Sequence, residues 1–333
     1  MIQSSSNSPR QSENAATVTA TAHPNIALVK YWGKASEARN IPAVGSLSLT
    51  LDGLATTTRV AAADEDRFEL NGDTDASMGQ RAFAFLDQYW PGRPALDIAS
   101  DNNFPTAAGL ASSASGFAAL TLAVDSLLDG GRDRESLAQC AGSGSGSAAR
   151  SLFGGVVRLD PPAQRDGDIR VRQVAEASDF PLELVIAVTS AARKPIGSTE
   201  AMRATAATSP YFDAWVRDQA QDLDAAEQAV AARDFDALAA VTEKSCMKMH
   251  AVMLGNDPWL LYWNAATVAC IHEVRVLRAS GLGVCFTIDA GPQLKAVCLP
   301  EDADRVAETL AGVDGVTDVL RASLGRGAFL HSA

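Results

Sequence analysis

Hydrophobic and polar residues alternate along the first part of the chain, whereas apolar residues recur at helical spacing along much of the second part. Strict alternation over residues 46–51, followed after Asp52-Gly53 by residues 56–61, predicts a β-hairpin, and residues 17–22 predict a first strand. After Thr189 the spacing favours long helices. These cover residues 198–207, 211–231, 235–249 and about 260–280. A mixed α/β fold is therefore expected, strand-rich first and helix-rich later.

One stretch breaks this pattern: residues 101–116 read DNNFPTAAGLASSASG. A strand-like segment, 96–100, precedes it, and Phe117, Leu120 and Val124 follow it at helical spacing. A strand, a small-residue turn and a helix start together form a cradle for an anion, because backbone N–H groups and the helix N-terminus attract negative charge. Composition alone also fits a flexible loop with a serine N-cap. The two common glycine-rich phosphate fingerprints are absent here, so a phosphate site would be of another kind.

Two further stretches fit anion contacts. Residues 142–147 read GSGSGS and lead to Arg150, whose guanidinium can hold a carboxylate or a phosphate at two points. The same composition is typical of a flexible linker, although apolar segments adjoin it on both sides. Residues 191–199 are basic and rich in hydroxyl groups at a predicted helix start, which fits an anion contact and equally an exposed loop.

Charged residues also mark two other turns. Lys30 and Lys34 lie on either side of Tyr31-Trp32-Gly33, and Asp289 lies in a DAGP turn after a predicted buried strand. Paired cations in an acidic protein favour an anionic ligand, yet the same lysines fit a surface turn. An aspartate in such a turn most often bonds its own backbone. Asp289 is a candidate base only if the fold brings a phosphate and a substrate to it.

The 333-residue chain is 47% hydrophobic, which is enough for one large or two medium domains. Its formal net charge of −12 argues against a nucleic-acid or anionic-membrane partner, and no apolar run is long enough to span a membrane. Five cysteines without CxxC pairing fit single thiols in a reducing cytoplasm, and four scattered histidines argue against a histidine-held metal. Residues 1–16 are polar and are expected to form a disordered tail.

The order of these segments resembles the mevalonate diphosphate decarboxylases of the GHMP kinase superfamily. The matching strings are NIALVKYWGK, SLSLTL, NNFPTAAGLASSASGFAAL, GSGSAARSLFGG, the Ser198-Thr199 helix start and FTIDAGP. Together they cover nearly the whole chain apart from its two ends. The long central string followed by GSGSAARSLFGG separates this family from mevalonate, homoserine and galactose kinases, which share only a looser phosphate loop.

The resemblance implies the two-domain GHMP kinase fold, of α/β (α+β) class. The N-terminal domain, of ribosomal-protein-S5-domain-2-like type, would span residues 17–190 and carry the phosphate loop. The C-terminal domain, a ferredoxin-like α/β sandwich with an antiparallel sheet, would span residues 191–333. The active site is expected in the cleft between them. A homodimer in the cytoplasm is also implied.

The implied reaction converts (R)-5-diphosphomevalonate and ATP, with Mg²⁺, into isopentenyl diphosphate, ADP, phosphate and carbon dioxide in the mevalonate pathway of isoprenoid biosynthesis. By resemblance, Asp289 accepts or orients the proton of the tertiary hydroxyl, and Lys30 aligns Asp289 with the substrate carboxylate. Asn25 and Arg150 would bind that carboxylate. The other expected substrate contacts are Tyr31, Lys34, Ser145, Ser147, Ser198 and Thr199.

The resemblance also implies an ATP site around the central string. The expected contacts are Pro105, Ala107, Ala108, Gly109, Leu110, Ala111, Ser112 and Ser113. Ser113 would lie beside the γ-phosphate and Mg²⁺, and Lys194 would lie in a loop that closes over ATP. Catalysis would then consist largely of positioning and electrostatics, as in other phosphoryl transfers.

The chain departs from the family pattern at Val44-Gly45, where members usually carry asparagine and a small hydroxyl residue. That stretch borders the active cleft in the family, so a phosphomevalonate decarboxylase is an open alternative. A mevalonate 3-kinase, confined to phosphorylation, would lack the pair Asp289 and Lys30. A non-catalytic GHMP-fold ligand sensor, from a different class, would be expected to lose a catalytic group. Turnover of ATP with substrate distinguishes an enzyme from such a sensor.

Overall fold

The computed structural model describes residues 16–36, 40–104, 112–164, 167–190, 192 and 196–332. Its strands are β1 Thr17–Ala22, β2 Asn25–Val29, β3 Lys34–Ser36, β4 Ile41–Pro42, β5 Ser46–Thr50, β6 Thr56–Ala63, β7 Arg67–Leu70, β8 Asp73–Thr74, β9 Ala95–Asn102, β10 Val156–Asp160, β11 Arg170–Ala175, β12 Glu183–Val188, β13 Val284–Ile288, β14 Leu294–Cys298, β15 Asp318–Ser323 and β16 Phe329–Leu330. Its helices are α1 Ala76–Tyr89, α2 Ser112–Leu127, α3 Arg134–Gly144, α4 Ala148–Ser151, α5 Ser198–Thr208, α6 Phe212–Ala232, α7 Phe235–Leu254, α8 Ala265–Ala279 and α9 Ala303–Ala311, with a 3-10 turn at Pro300–Asp302.

Most of these strands form three sheets. The first has the order β16-β1-β6-β9-β7-β8 and is antiparallel except for the parallel pair of β7 and β9. The second, β11-β10-β5-β2, and the third, β13-β14-β12-β15, are antiparallel. The short strands β3 and β4 pair with each other. The predicted mixed α/β fold is confirmed.

The predicted hairpin over residues 46–61 is wrong, although both of its strands form. β5 pairs with β2 and β10 in the second sheet, whereas β6 pairs with β1 and β9 in the first. Every residue of β5 is buried: Leu47 and Leu49 pack in a core, and on the hydroxyl face Thr50 Oγ1 donates to Phe153 O at 2.8 Å. The alternation therefore indicates two different buried faces, and it does not identify the neighbouring strand.

The GSGSGS run is packed structure, which rules out the linker interpretation. α3 continues through Gly144, and α4 begins soon afterwards at Ala148. A Cβ atom at Gly144 would overlap the Phe117 ring, and one at Gly146 would overlap Tyr31 Oη. The two glycines therefore permit α3 to pack against α2 and the following turn to pack against Tyr31.

The helix-rich second part of the chain is confirmed, with one shifted boundary. α5, α6 and α7 lie where the spacing predicts them. The helix expected from about residue 260 begins only at Ala265, because Asn264 caps it: Thr267 N–H donates to Asn264 Oδ1 at 2.8 Å. Among the described residues, no helix combines the length and apolar character needed to cross a membrane.

The division of the chain at residue 190 stays a prediction. β12 precedes that point and lies between β14 and β15 in the third sheet, while β16 returns to pair with β1 in the first. The second and third sheets share a core with α6 and α7. Its members include Ile26, Leu49, Leu184, Leu223, Leu238 and Val297. β2 and β13 meet directly, where Thr287 Oγ1 donates to Ala27 O at 3.3 Å.

Candidate active site

A cavity of about 600 Å³ opens where β2 and β13 end. Every residue predicted to act in catalysis or to contact the substrate lines it. These residues are Asn25, Lys30, Tyr31, Lys34, Ser145, Ser147, Arg150, Ser198, Thr199 and Asp289. The fold thus brings together side chains from both ends of the chain.

The predicted ATP residues are only partly described. Ser112 and Ser113 begin α2, and Ser113 lines the cavity. Both serines also line a neighbouring, mostly apolar pocket of about 70 Å³, with Phe68 and Met78 among its walls. The other predicted contacts lie outside the described residues: Pro105, Ala107, Ala108, Gly109, Leu110, Ala111 and Lys194.

Asp289 follows β13, and its carboxylate lies between two ammonium groups. Lys30 Nζ lies 2.5 Å from Oδ1, and Lys295 Nζ lies 3.2 Å from Oδ2. The lysine side chains are 1% and 0% exposed, whereas the Asp289 side chain is 30% exposed and lines the cavity. Burial opposes the charge of Asp289, but the two lysines outweigh burial and hold the pKa of this carboxyl well below its usual range. Asp289 is therefore an anion at neutral pH.

Helix α7 fixes both partners of the Lys30–Asp289 pair. Its Ser245 Oγ accepts a hydrogen bond from Lys30 N–H at 3.0 Å. Its Cys246 Sγ accepts one from Ile288 N–H at 3.2 Å, one residue before Asp289. One helix thus sets the separation between Lys30, directly after β2, and Asp289, directly after β13.

The turn after β13 is anchored on two further sides. His250 Nε2 lies 3.2 Å from Ile288 O and 3.3 Å from Trp263 Nε1, and burial lowers the pKa of His250 to about 3. Gln293 Oε1 accepts a hydrogen bond from Thr189 N–H at 2.6 Å. An aspartate in such a turn could instead have bonded the backbone of its own turn. The Asp289 carboxylate contacts two lysines.

Arg150, on α4, is buried beside Asn25 at the start of β2. Arg150 Nη1 donates to Ser46 Oγ at 2.5 Å, and Nε donates to Asn25 Oδ1 at 3.2 Å. Asn25 Nδ2 donates in turn to Ser151 Oγ at 2.8 Å. Burial lowers the pKa of Arg150 to about 10, which leaves it charged at neutral pH. No described carboxylate forms an ion pair with it, so an anionic ligand is the natural counterion.

Hydroxyl groups line the wall between Arg150 and α2. Ser145 Oγ lies 3.2 Å from Ser113 Oγ and 3.3 Å from Ser147 Oγ. Tyr31 Oη is buried and has no hydrogen-bond partner among the described residues, and burial raises its pKa to about 12. A neutral phenol without a partner, beside a row of hydroxyls, fits a ligand rich in oxygen acceptors.

Across the cavity, α5 begins with Ser198 and Thr199. The N-cap residue of this helix, Gly197, supplies no side-chain cap, and the N-terminus of α5 lies at the cavity wall with the positive end of its helix dipole. Lys34 Nζ lies 3.4 Å from Thr199 Oγ1. This wall therefore also favours negative charge.

Sequence reasoning missed two cations here. Arg81, on α1, lines the cavity, and its Nη2 donates to Gly144 O at 2.6 Å. Lys295 contacts Asp289 from the interior of the protein. A lysine inside the apolar strand LKAVC was a signal for Lys295. Nothing in the sequence connects Arg81 with Gly144, which lies 63 residues later.

The departure from the family pattern at Val44-Gly45 lies away from the cavity wall formed by the described residues. Val44 is buried in a core with Trp32 and Trp215. A Cβ atom at Gly45 would overlap Leu223. Packing, rather than substrate contact, accounts for both residues.

Two family models match the two parts of the chain. Residues 22–168 match a diphosphomevalonate decarboxylase-like N-terminal domain, and residues 184–322 match a mevalonate 5-diphosphate decarboxylase C-terminal domain. The human diphosphomevalonate decarboxylase is 40% identical over 329 residues, which cover 90% of this chain and 80% of the human one.

Solved structures are similar over nearly the whole length. The mevalonate diphosphate decarboxylase from Staphylococcus aureus has a TM-score of 0.88 and 30% identity, with 95% of this chain and 98% of that chain covered. The structure of MDDEF in complex with MVAPP, AMPPCP and magnesium has a TM-score of 0.87 and 32% identity, with 95% and 99% covered.

Proposed function

The chain belongs to the diphosphomevalonate decarboxylase family, and we propose that it catalyses the ATP-dependent decarboxylation of (R)-5-diphosphomevalonate to isopentenyl diphosphate in the mevalonate pathway. One observation carries this proposal. The cavity combines an oriented carboxylate, Asp289, with a buried guanidinium, Arg150, that forms no ion pair with a described residue. The first suits a hydroxyl group and the second suits a carboxylate.

In the proposed reaction the tertiary hydroxyl oxygen, oriented by Asp289, attacks the γ-phosphorus of ATP, ADP leaves, and the hydroxyl proton passes to water. The C–O bond to the new phosphate then breaks, and positive charge develops on the tertiary carbon. The bond between the carboxylate and its neighbouring carbon breaks next. Its electron pair forms the double bond of the product, and carbon dioxide leaves.

Within this proposal, Asp289 orients the hydroxyl through its charge. Lys30 and Lys295 make it a weak base, so orientation contributes more than proton affinity. Asn25 and Arg150 hold the substrate carboxylate. The diphosphate and the remaining polar groups of the substrate contact Tyr31, Lys34, Ser145, Ser147, Ser198 and Thr199. Arg81 adds a further cation to the cavity wall.

The residues at the start of α2 fit ATP and magnesium. Ser113 and Ser145 present hydroxyls 3.2 Å apart, and the adjoining apolar pocket offers a surface for a base. Ser113 is the residue that would stand beside the γ-phosphate and Mg²⁺. When bound, the metal ion neutralises charge on the transferring phosphoryl group.

We also propose a cytoplasmic homodimer. All five cysteines are buried free thiols, which fits a reducing compartment. The homodimer is the assembly that the resemblance to this family implies. Light scattering is expected to give the mass of two chains, and a single-chain mass would contradict the dimer.

The test is carbon dioxide release measured together with ADP formation, for the wild type and for Asp289→Asn. 5-Diphosphomevalonate and 5-phosphomevalonate are compared side by side. The wild type is expected to turn over the diphosphate in preference to the monophosphate, and Asp289→Asn is expected to lose most of this turnover. ADP without carbon dioxide would indicate a mevalonate 3-kinase, and preference for the monophosphate would indicate a phosphomevalonate decarboxylase. No turnover of either substrate would indicate a ligand sensor.

A further inference from the structure

We propose that Lys295 is a positioning residue that acts through Asp289, fixing the second carboxylate oxygen so that the carboxylate plane keeps one direction toward the cavity. This inference rests on the proposed function. Lys295 lies within β14, opposite Thr287 of β13 and Ile186 of β12. Its side chain is fully buried, and it is absent from the described cavity wall. Its described contact toward the cavity is the one with Asp289.

Geometry gives the first reason. The terminal torsion of an aspartate side chain is broad and roughly two-fold, so a carboxylate held at a single oxygen can rotate. Lys30 holds Oδ1 at 2.5 Å, and Lys295 holds Oδ2 at 3.2 Å. Two contacts on different oxygens define the plane of the carboxylate, which one contact does not.

Charge gives the second reason. Lys30 alone would balance the charge of Asp289, and a second buried ammonium carries a desolvation cost. Burial lowers the pKa of Lys295, and the Asp289 carboxylate offsets that effect only in part. Neutralisation of Asp289 therefore does not account for Lys295. Orientation of the carboxylate does.

The first experiment compares Lys295→Met with the matched control Ile186→Val, which changes the buried neighbour of Lys295 on β12. In Lys295→Met we expect kcat to fall about 10- to 100-fold, as is typical when an outer partner of a functional group is removed. KM for ATP and for 5-diphosphomevalonate should stay unchanged, because Lys295 is absent from the described cavity wall. Ile186→Val should leave both parameters unchanged.

The second experiment asks whether the effect passes through Asp289. Lys295→Met is introduced into Asp289→Asn, and single turnovers are measured with excess enzyme. If Lys295 acts through the carboxylate, its loss has little further effect in this background. An equal loss in both backgrounds would overturn the proposal, as would an unchanged kcat in Lys295→Met. A raised KM, or a rate loss explained by a smaller folded fraction, would also overturn it.

A second variant and a second readout complete the test of Lys295. If Lys295→Met fails to fold, Lys295→Gln retains a hydrogen-bond donor without the charge, and the same cycle is measured with it. If the wild type forms ADP without carbon dioxide, the decarboxylation proposal fails. The ratio between the variants, taken from ADP formation, still tests Lys295.

Discussion

Two buried cationic clusters meet at one cavity, and they differ in how their charge is balanced. Around Asp289, one carboxylate lies between Lys30 and Lys295, so each ammonium group contacts a counterion in the protein, although the cluster keeps one net positive charge. Around Arg150, the hydrogen-bond partners Asn25 and Ser46 are neutral. Both lysines therefore have a carboxylate partner, whereas Arg150 forms no ion pair with a described residue and is expected to be paired by an anion from outside.

Because of this difference, substitutions in the two clusters are expected to change the stability of the protein in different ways. A buried charge without a partner is costly, and removing it can stabilise a protein. Removing the shared carboxylate of Asp289 instead leaves two buried ammonium groups, those of Lys30 and Lys295, without their partner. Substitutions in either cluster should therefore lower activity, but only those in the Asp289 cluster should lower stability.

The largest expected effect is that of Arg150→Met. We expect kcat/KM for 5-diphosphomevalonate to fall about 1,000-fold or more, because a preorganised contact to the substrate is lost. The melting temperature should stay the same or rise, because a buried charge without a protein counterion is removed. Steady-state kinetics and thermal unfolding measure both quantities.

A matched control is Arg158→Met. Arg158 forms ion pairs with Asp160, Asp224 and Glu227 away from the cavity. This variant should keep its activity and lose about 1 kcal/mol of unfolding free energy. If Arg150→Met instead melted well below the wild type, Arg150 would have a counterion in the protein, and the comparison would fail.

Asp289→Asn should affect both quantities. We expect kcat to fall about 100- to 1,000-fold with loss of the orienting charge. The free energy of unfolding should fall by about 2 to 3 kcal/mol, because two buried ammonium groups lose their common partner. Adding Lys30→Met to this variant should recover stability and not activity. If urea unfolding shows no loss of unfolding free energy in Asp289→Asn, the carboxylate does not stabilise the two lysines, and this prediction is wrong.

Burial is expected to keep His250, which lies beside the Asp289 cluster, uncharged. The pKa of His250 is about 3 in the folded protein, against about 6.5 when unfolded. Because the folded value is the lower one, the unfolded chain binds the proton first, and stability present above about pH 6.5 is lost as the pH falls toward 3. At pH 5 this loss is about 2 kcal/mol.

Urea unfolding at pH 7 and pH 5 checks this prediction in the wild type and in His250→Gln. The difference between the two pH values should be smaller in the variant, which has no imidazole to protonate. An equal difference in both proteins would assign the pH dependence to other groups.

The smallest expected effect concerns the Arg150 cluster. Arg150 lies 5.5 Å from the centre of the Tyr31 ring, and a methyl group at position 146 would displace Tyr31 Oη. Gly146→Ala should therefore raise KM for 5-diphosphomevalonate about 10-fold, roughly the effect of one lost hydrogen bond. Gly312→Ala, just after α9 and away from the cavity, is the control and should leave KM unchanged, because a Cβ atom there meets only ordinary van der Waals contacts.

The sequence predicted the Arg150 cluster more completely than the Asp289 cluster. Asn25 and Arg150 stand in motif strings, and the glycines that place Arg150 lie a few residues before it. Lys295 is close to Asp289 in sequence, but its role depends on how β13 pairs with β14, which no local pattern contains. The same limit explains the hairpin that did not form, since alternation in β5 indicates burial and leaves the partner strand open.

One consequence of the first sheet concerns the order in which the chain is made. β1 is synthesised long before β16, and one of its two edges pairs with β16, where Ala20 lies opposite Leu330. Until residues 329–330 emerge, that edge has backbone donors and acceptors without their native partners. A nascent chain with an open strand edge is a template for association with other chains. The interval in which this edge can pair with another chain therefore lasts until β16 takes its place in the sheet.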